Sequence, residues 1–485
     1  MTTHVHSGGS RRRPGRIAAV SSAAAVLALT QIPASTSSAA ESGSLIKQPG
    51  YVATTVTVSP GVLHTNYTHA TNDLVVNVLR VDPDAGAISL GSTLGGSLAQ
   101  KETTSAMLKS VSDHKSRRPF AGVNGSYSVS GVGQSQETDA NGGRELLPSE
   151  RSIGQGVSVQ EDVVQSAACY GRDDLDEAVV LQYGRPHFTQ LNTELTLKNP
   201  ANGTWKVDGV NRNAGWMTKC AQGPGDTRVT QDEFGNSMSY LAYQDADEIV
   251  TFTSAYGQTT PRPNSSTWVK TDNSPETGGP QSQAEIAVDA QGTVVAWNAS
   301  GRGGMVIPAG GRVFQGIGTG ADWLRPYAND QKAKLTYTEK VTDQLFGEEL
   351  KLDPANRSID VVNGTHLLVR NGKVNTPTNE EDDPRTAFGV DSSGRTLLVT
   401  VTSKRPHVRN GVPTPDLAKI MGDLDAVDAV NLDGGGSTTM MVENKVVTTV
   451  SDGSERPVFD AVYAGRGGFG LYESLPATLP APVTP

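Results

Sequence analysis

The chain has 485 residues, of which 53 are glycine, 27 are proline and only 5% are aromatic, a composition typical of a protein with many turns and short strands. A chain of this length exceeds one usual hydrophobic core, which predicts two packed lobes or one domain with a large insertion. The formal net charge of −10 argues against nucleic acid as a partner, because no basic surplus is present to neutralise the phosphates of a duplex.

The N-terminal segment has the layout of a secretory signal peptide. Four arginines between residues 11 and 16 precede an apolar stretch from Ile17 to Leu29, and Ser38, Ala39 and Ala40 supply small residues for cleavage. We therefore predict a signal peptide over residues 1–40 and a secreted, extracellular protein. The apolar stretch is too short to span a bilayer, and no later stretch is long enough, so no membrane span is expected after signal removal. The arginines are compatible with Sec or twin-arginine export.

The rest of the chain divides by composition into four further parts. Residues 41–70 form a polar lead-in, residues 71–345 a β-rich N-terminal part, residues 346–472 an α/β part with the main motifs, and residues 473–485 a Pro-rich tail. A strand is predicted at Leu74–Val81 and a helix between Ser97 and His114. Residues 155–345 alternate strand-like runs with Gly, Pro and Asn turns and show no helix pattern. This middle region is therefore predicted to be mostly β.

Cys169 and Cys220 are the only cysteines of the chain. In an exported protein such a pair favours one disulfide over two free thiols. Closing the loop between them would stabilise the fold by roughly 4 kcal/mol in the chain-entropy model. With no further cysteine and eight scattered histidines, a Cys/His zinc site is not expected.

A short apolar strand leads into a polar turn at Asn124. Residues 119–123 precede Asn124-Gly125, a pair that favours positive φ, and the hydroxyls of Ser126 and Tyr127 follow. Taken by itself, this stretch is best interpreted as an ordinary turn.

The part from residue 346 onwards predicts a βαβ unit. Strand Arg395–Thr402 is followed by residues 403–411, the most cationic loop of the chain. A helix then begins with Thr414 as its N-cap, and strand Val427–Leu432 follows. Strands joined by such a crossover run parallel, so their carboxyl ends share the edge of the sheet where ligands bind in α/β proteins. The predicted fold class is α+β, with mixed β-sheets and few helices.

Asp433 follows the last of these strands and begins the sequence Asp-Gly-Gly-Gly-Ser, residues 433–437. Glycines have no Cβ and let the main chain approach a ligand, and successive amide groups bind anions. A tight connection between two strands is the alternative, although three glycines exceed what a two-residue hairpin needs. A P-loop is excluded because no lysine follows the glycines, and no second Asp-Gly stretch suggests an aspartic protease dyad.

Charged side chains cluster in the loops of this C-terminal part. Arg385 precedes a strand, Arg405 lies in the basic loop, and Glu455 and Arg456 lie in a loop dense in charges and hydroxyls. Arginines with amide groups bind phosphate in fork geometry, and paired carboxylates hydrolyse glycosides. Together with Asp433, these residues offer two kinds of chemistry, phosphate binding and glycoside hydrolysis.

Four motifs in this order resemble those of the phosphodiester glycosidase family. They are VNGSY at 123–127, PRTAFGVD at 384–391, AVNLDGGGSTTM at 429–440 and SERPVFDAV at 454–462. The resemblance covers roughly residues 70–472 and is specific where PRTAFGVD and NLDGGGST occur together. The chain departs from the family after Asn124-Gly125, where Ser126-Tyr127-Ser128 replaces the usual continuation with two aromatic residues.

The resemblance implies hydrolysis of a sugar 1-phosphodiester, such as an N-acetylglucosamine-1-phosphodiester, at the glycosidic C–O bond. A phosphate leaving group needs little protonation, so the site mainly needs a carboxylate at the anomeric carbon and cations for the phosphate. Asp433 is the expected catalytic carboxylate, and Glu455 is either an acid/base or the partner of Arg456 in a salt bridge. Asn124 is expected to orient a sugar hydroxyl or Asp433. The predicted substrate-binding residues are Arg385, Asn124, Gly434, Gly435, Gly436, Ser437, Arg405 and Arg456.

Two other functions are compatible with the same residues. One is a metal-dependent phosphodiesterase that cuts the P–O bond, and the other is a non-catalytic binder of phosphate-bearing cell-wall polymers. The sequence requires no cofactor, is compatible with a divalent cation, and does not identify metal ligands. The expected partner is a sugar-phosphate or cell-wall glycan substrate.

Overall fold

The computed structural model describes most of the chain after the predicted signal peptide. The described residues are 44–85, 88–96, 98, 101–114, 118–130, 152–169, 177–199, 203–218, 220–223, 225–231, 237–261, 282–299, 303–327, 333–379 and 381–466. The predicted signal peptide, residues 1–40, and the predicted Pro-rich tail, residues 473–485, lie outside these ranges.

Short strands dominate the described residues, as the glycine and proline content predicts. The helices are α1 Thr104–His114, α2 Gly318–Leu324 and α3 Thr414–Asp423, with 3₁₀ turns at Arg325–Tyr327 and Gly435–Ser437. None of the described helices has the length and hydropathy needed to cross a membrane. The strands are β1 Tyr51–Ser59, β2 Val62–His69, β3 Leu74–Val81, β4 Ile88–Thr93, β5 Arg118–Asn124, β6 Ser128–Ser130, β7 Ser152–Gly154, β8 Ser158–Gln160, β9 Val163–Ser166, β10 Glu177–Gln182, β11 Arg185–Asn199, β12 Gly203–Lys206, β13 Gly209–Val210, β14 Trp216–Thr218, β15 Thr227–Gln231, β16 Ser237–Gln244, β17 Ile249–Phe252, β18 Gln283–Val288, β19 Val294–Asn298, β20 Arg312–Ile317, β21 Thr336–Asp343, β22 Glu348–Glu349, β23 Ile359–Asn363, β24 Thr365–Arg370, β25 Lys373–Val374, β26 Arg385–Asp391, β27 Thr396–Ser403, β28 Ala426–Leu432, β29 Met440–Val442, β30 Lys445–Val446 and β31 Ala461–Arg466.

An eight-stranded sheet, here called sheet A, carries most of the predicted motifs in the order β1-β2-β3-β27-β26-β28-β24-β25. Every residue of β27, near the centre of this sheet, is buried. Because side chains alternate across a strand, Leu397 and Val399 pack with Leu417 of α3 on one face, while Leu398 packs on the opposite face. Sheet A is therefore buried on both sides at its centre, which explains the nearly continuous apolar sequence of β27.

The predicted βαβ crossover is present, with one additional strand inside it. β27 and β28 run in the same direction, as predicted, because each pairs antiparallel with β26, which lies between them. The predicted N-cap of the connecting helix is wrong. The cap residue of α3 is Pro413, without a side-chain hydrogen bond, and the Thr414 hydroxyl is buried without a partner in the described residues. Thr414 instead donates its amide to the carbonyl of Asn379.

A second sheet, here called sheet B, packs face to face against sheet A in the order β30-β29-β5-β31-β4. The core between them joins Leu79, Phe388 and Val430 of sheet A to Val123 and Val462 of sheet B. Helix α1 packs on the outer face of sheet B, as its contacts with β29 and β31 show. The order of layers is thus α1, sheet B, sheet A and α3, which places the Asn124 turn of sheet B next to the motifs of sheet A.

The polar lead-in, residues 41–70, contains a hairpin that its sequence did not reveal. β1 and β2 pair antiparallel, and β2 extends sheet A by pairing with β3. Most of β1 is exposed on both faces. An exposed edge strand needs no alternation of apolar and polar residues, so the usual strand pattern is absent.

The middle region is mostly β, as predicted. It contains an eight-stranded sheet built around β11, β10 and β23, and a five-stranded sheet in the order β13-β17-β20-β18-β19. The expectation of no helix there is wrong, because α2 lies in it. This helix has only seven residues, two of them Gly318 and Gly320, so it carries no helical periodicity. Cys169 and Cys220 form the predicted disulfide, with their Cα atoms 5.2 Å apart.

Candidate active site

Three strands of sheet A meet at the edge that carries the site. β28 ends at Leu432, β27 ends at Ser403, and β26, which runs the other way, begins at Arg385. In the register of the sheet, Thr386 lies opposite Leu432. Asp433 therefore leaves the sheet beside Arg385, as expected for two motifs of one site.

The main chain of Asp433 is held on both sides by the Asn124 turn. The Asp433 amide donates to the Gly125 carbonyl at 3.0 Å, and Asn124 Nδ2 donates to the Asp433 carbonyl at 2.6 Å. We call this arrangement the Asp433 clamp. The residue itself is only partly buried. Because both bonds are made to the peptide groups of Asp433, the clamp positions this residue without engaging its carboxylate.

Asn124 is fully buried and bonded through both ends of its amide. Its Oδ1 accepts hydrogen bonds from Thr386 Oγ1 at 2.8 Å and from the Thr439 amide at 3.0 Å, while its Nδ2 donates to Asp433. These bonds join β5 to β26 and to the segments that flank the glycine turn. The structure thus places Asn124 as a support of Asp433, and a contact with a sugar hydroxyl stays a prediction.

The glycines after Asp433 form a tight 3₁₀ turn. Gly435 has φ +61°, a conformation that favours glycine, and donates its amide to the Pro384 carbonyl at 2.7 Å. The Ser437 amide donates to the Gly434 carbonyl at 3.2 Å. Two of the four amide groups expected to bind phosphate are therefore used inside the protein. This corrects the expectation that the whole row of amides faces an anion, and leaves Gly434 and Gly436 as candidates.

Arg456 lies directly over the glycine turn. A Cβ atom on Gly436 would collide with the Arg456 guanidinium and with the Asp452 carboxylate, so a larger residue would displace this pair from the turn. Arg456 Nε and Nη2 both donate to Asp452 Oδ2, at 2.8 and 2.5 Å, and 41% of the Arg456 side chain is exposed. Asp452 holds this guanidinium in place while part of it faces solvent.

Arg409 forms a second such pair. It donates to both oxygens of Asp383, at 2.7 and 2.9 Å, and a Cβ atom on Gly435 would lie 2.8 Å from its Nη2. The bidentate bond to Asp383 raises the pKa of Arg409 further above its ordinary value. The glycine turn is thus bordered by two cations, of which sequence analysis had assigned only Arg456 to the site.

Arg385 lies near Asp433 but its guanidinium is directed at the main chain. Nε donates to the Val412 carbonyl at 2.9 Å, Nη2 donates to the Glu381 carbonyl at 2.6 Å, and the residue is 3% exposed. Its Cδ lies 3.7 Å from the position of a Cβ atom on Gly434. Arg385 therefore ties the loop before β26 to the segment before α3, and its role as a phosphate ligand stays a prediction.

Arg405 and Glu455 have partners outside the glycine turn. Arg405 donates to Asp73 Oδ2 at 3.0 Å with 66% of its side chain exposed. Glu455 accepts hydrogen bonds from the Ser105 amide at 3.0 Å and from Ser105 Oγ at 2.6 Å, at the first turn of α1. The expected alternative of a Glu455–Arg456 salt bridge is wrong, because Arg456 pairs with Asp452. The acid/base role of Glu455 stays a prediction.

Lys101 interacts electrostatically with Asp433 and Arg456 but belongs to none of the four motifs. Burial lowers its pKa, the charge of Arg456 adds to this effect, and the negative charge of Asp433 opposes it. The next residue, Glu102, pairs with Val458 through a β-bridge, which keeps Lys101 beside the loop of Arg456. No sequence pattern marks it, since an isolated lysine before a helix has no periodicity to read.

Tyr127 is another neighbour of Asp433 that sequence analysis did not select. Its hydroxyl accepts a hydrogen bond from Asn431 Nδ2 at 2.9 Å. Burial raises the pKa of Tyr127 to about 12, and the Asp433 charge contributes to this increase. Tyr127 is therefore neutral at physiological pH.

Asp460 lies under the same turn, inside the motif SERPVFDAV. Its carboxylate is buried and accepts hydrogen bonds from the Ser126 amide at 2.5 Å and from Ser126 Oγ at 2.7 Å. A Cβ atom on Gly125 would collide with Asp460 Oδ1, so the turn needs glycine there. Burial raises the pKa of Asp460 to about 7, and the charge of Asp433 adds to this rise.

One group of carboxylates in the described part of the chain has the spacing of a metal site. Asp226, Asp245 and Glu248 have oxygens within 4.8 Å of one another. Glu248 accepts from both terminal nitrogens of Arg212, and Asp226 accepts from main-chain amides. These residues belong to the middle region and not to the Asp433 edge of sheet A.

Comparison with known proteins agrees with the motifs. Residues 282–464 match the phosphodiester glycosidase family, a stretch that includes Arg385 and the Asp433 turn. The match confirms, over these residues, the resemblance inferred from the motifs.

The curated relatives include mammalian proteins and a bacterial one, the SPbeta prophage-derived uncharacterized protein YomE of Bacillus subtilis, which is 34% identical over 79 residues, 16% of this chain and 12% of the relative. N-acetylglucosamine-1-phosphodiester alpha-N-acetylglucosaminidase of Mus musculus is 29% identical over 130 residues, which cover 23% of this chain and 25% of the relative. The Homo sapiens protein of the same name is 28% identical over 130 residues, covering 23% and 25%. The aligned segment thus spans about a quarter of the length of these mammalian relatives.

Solved structures share the fold over most of the chain. A Burkholderia pseudomallei protein superposes with a TM-score of 0.62 at 24% identity, covering 83% of this chain and 76% of the other. A hypothetical protein from Synechocystis superposes with a TM-score of 0.55 at 15% identity, covering 86% and 64%. At these identities the similarity establishes the shared architecture.

Proposed function

We propose that this chain is a secreted hydrolase that cleaves a sugar 1-phosphodiester, of the N-acetylglucosamine-1-phosphodiester class, at the glycosidic C–O bond. The observation that carries the proposal is the Asp433 clamp, which fixes a partly exposed aspartate beside a glycine turn bordered by Arg409 and Arg456. The names of the mammalian relatives support the substrate class. The N-terminal signal sequence and the Cys169–Cys220 disulfide support secretion.

Asp433 supplies the carboxylate of the proposed reaction. The bond between the anomeric carbon and the bridging oxygen breaks, and its electron pair stays on the phosphate. The Asp433 carboxylate stabilises the positive charge that develops on the sugar or accepts a proton from the attacking water. Water adds to the anomeric carbon, and the products are the free sugar and a phosphomonoester.

The cations around the glycine turn hold the departing phosphate. Arg409 and Arg456 are each fixed by an aspartate and partly exposed, so their geometry is set before substrate binds. Lys101 adds a half-buried positive charge near Asp433. Negative charge moves onto the phosphate as the C–O bond breaks, and fixed cations stabilise it without reorganising.

Protonation of the leaving group contributes little in this reaction, because a phosphomonoester is a good leaving group. Glu455 is bonded to Ser105 at the start of α1, so an acid/base role would require it to leave that position. No cofactor takes part in the proposed reaction. A divalent cation would belong to the alternative in which the P–O bond is cut.

Hydrolysis in ¹⁸O-labelled water tests the bond that is cleaved. The substrates are a panel of sugar 1-phosphodiesters, and the phosphomonoester product is analysed by mass spectrometry because free sugars exchange their anomeric oxygen with water. An unlabelled phosphate supports C–O cleavage. A labelled phosphate, with loss of turnover in EDTA, would establish a metal-dependent phosphodiesterase instead. Binding of the same esters without turnover, equally in wild type and Asp433→Asn, would indicate a non-catalytic binder of phosphate-bearing polymers.

A further inference from the structure

Asp460 supports the Asp433 clamp from below. Its main-chain carbonyl accepts the Gly125 amide at 3.0 Å, while its carboxylate accepts the amide and the hydroxyl of Ser126. Asp460 thus accepts three hydrogen bonds, which hold Gly125 and Ser126 in place. The next residue, Ala461, is the first of β31 and pairs with Asn124 in sheet B, so Asp460 is anchored directly before this strand.

The same turn reaches Asp433 directly. Gly125, bonded to Asp460 through its amide, uses its carbonyl to accept the Asp433 amide. Ser126 Oγ also accepts a hydrogen bond from the Asn363 amide at 3.1 Å. The single hydrogen of this hydroxyl is donated to Asp460. Ser126 and Gly125 therefore connect Asp460 to the peptide group of Asp433 through hydrogen bonds.

Two other carboxylates act on Asp460. The negative charges of Asp433, which follows β28, and of Asp360, on β23, both act on it. Asp360 itself accepts the amides of Ser92 and Glu161. Burial and these two negative charges raise the pKa of Asp460 to about 7. The residue thus changes its charge close to neutral pH, while it holds the turn that clamps Asp433.

We propose that Asp460 is a positioning residue for Asp433. Its ionised carboxylate accepts both hydrogens of Ser126 and keeps the turn in the clamping geometry. Protonation removes one acceptor, forces the Ser126 hydroxyl to rotate and loosens the clamp. The inference rests on the proposed function for its effect on turnover, and it predicts that kcat/KM rises between about pH 6 and 8 as Asp460 ionises.

Kinetics of three variants test this role on the methyl ester of N-acetylglucosamine 1-phosphate. Asp460→Asn is expected to lower kcat at least about tenfold with KM within about threefold, and to abolish the rise of kcat/KM near pH 7. Ser126→Ala, a milder change, is expected to lower kcat in the same direction. The matched control is Asp162→Asn, another buried aspartate that accepts main-chain amides, here those of Asp353 and Ile359. In this control, kcat/KM is expected to rise over the same pH range as in wild type. A rise that persists unchanged in Asp460→Asn would overturn the proposal.

Thermal unfolding without substrate separates this inference from the proposed function. A carboxyl whose folded-state pKa is raised stabilises the protein at low pH, and this stabilisation is lost as the pH rises. The wild-type Tm should therefore contain a contribution from Asp460 that decreases as the pH rises from about 4 to about 7. This component should vanish in Asp460→Asn and move to lower pH in Asp433→Asn, which removes a repelling charge. If Asp433→Asn leaves it unmoved, the two carboxylates are not coupled and the inference fails. If the shifts occur but wild type cleaves no ester, the coupling is supported and the proposed function is refuted.

Discussion

Two regions of the molecule hold charged groups in opposite ways. In the middle region Arg212 is fully buried, and its guanidinium donates to Glu248, to the Asn213 carbonyl and to Gln222. At the edge of sheet A, Asp433 is held by its peptide groups while the residue remains partly exposed. A buried charge whose bonds are completed by its own fold serves stability. A charge fixed through the main chain is positioned by bonds that do not involve its carboxylate.

Removal of the Asp433 charge is expected to have the largest effect on activity. Asp433→Asn should lower kcat/KM roughly 10³-fold, the scale of losing a preorganised electrostatic contact. Apart from the pH-dependent part of Tm assigned to Asp460, it should change Tm little, because the clamp bonds only the peptide groups of Asp433. Steady-state kinetics with calorimetry measure both. The matched control is Asp428→Asn on the same strand, whose carboxylate pairs with Arg370 and should be dispensable for turnover. Retention of more than about a tenth of the activity in Asp433→Asn would remove Asp433 from the catalytic role.

For the buried pair of Arg212 and Glu248, substitution is expected to reduce stability and to leave activity unchanged. Arg212→Met leaves Glu248 buried without its partner and should destabilise the fold by about 3–5 kcal/mol, with the activity of the folded fraction unchanged. Denaturant unfolding measures the free energy. Adding Glu248→Leu should recover part of the loss, since an apolar pair needs no desolvated charge. If Arg212→Met unfolds with wild-type free energy but loses turnover, the middle region has a functional role and the contrast between the two regions is mistaken.

Asn124 lies between these extremes, because it is buried like Arg212 but supports Asp433. Asn124→Ala removes the 2.6 Å bond to the Asp433 carbonyl and leaves buried donors unpaired, at a cost of about 1–3 kcal/mol. We expect kcat to fall on the order of tenfold, with a smaller change in KM. Thr386→Val removes only one bond to Asn124 and should show the same pattern more weakly. Equal loss of stability in both variants with unchanged kcat would mean that the clamp is only structural.

The smallest effect is expected at Arg405. Its pair with Asp73 is largely exposed, so Arg405→Ala should change stability by less than about 1 kcal/mol and KM by about twofold at most. Arg456→Ala, which removes a cation over the glycine turn, should raise KM about tenfold. The KM values of the two variants, measured under the same conditions, show which arginine contributes more to substrate binding. A larger effect at Arg405 would move the phosphate away from the glycine turn toward the basic loop.

Local patterns predicted those features that depend on neighbours along the chain. The common direction of β27 and β28 followed from a crossover helix, and the Asp433 turn from its glycines. The disulfide followed from having two cysteines. In each case the physical cause, a steric preference or a short connection, acts within a few residues or on the composition itself.

Tertiary structure alone decided what those motifs touch. Asn124 reaches Asp433 across 309 residues of sequence, and Glu455 reaches Ser105 across 350, so no periodicity could reveal either bond. The motif of Arg385 suggested a phosphate ligand, but its guanidinium donates to two main-chain carbonyls. Buried polar groups are usually hydrogen-bonded within the protein, and these carbonyls are the acceptors nearby. The sequence by itself therefore determined which side chains stand at the edge of sheet A. Packing of sheets A and B determined which of them face a ligand and which, like Asp460, hold the others in place, since hydrogen bonds and burial depend on distance in space.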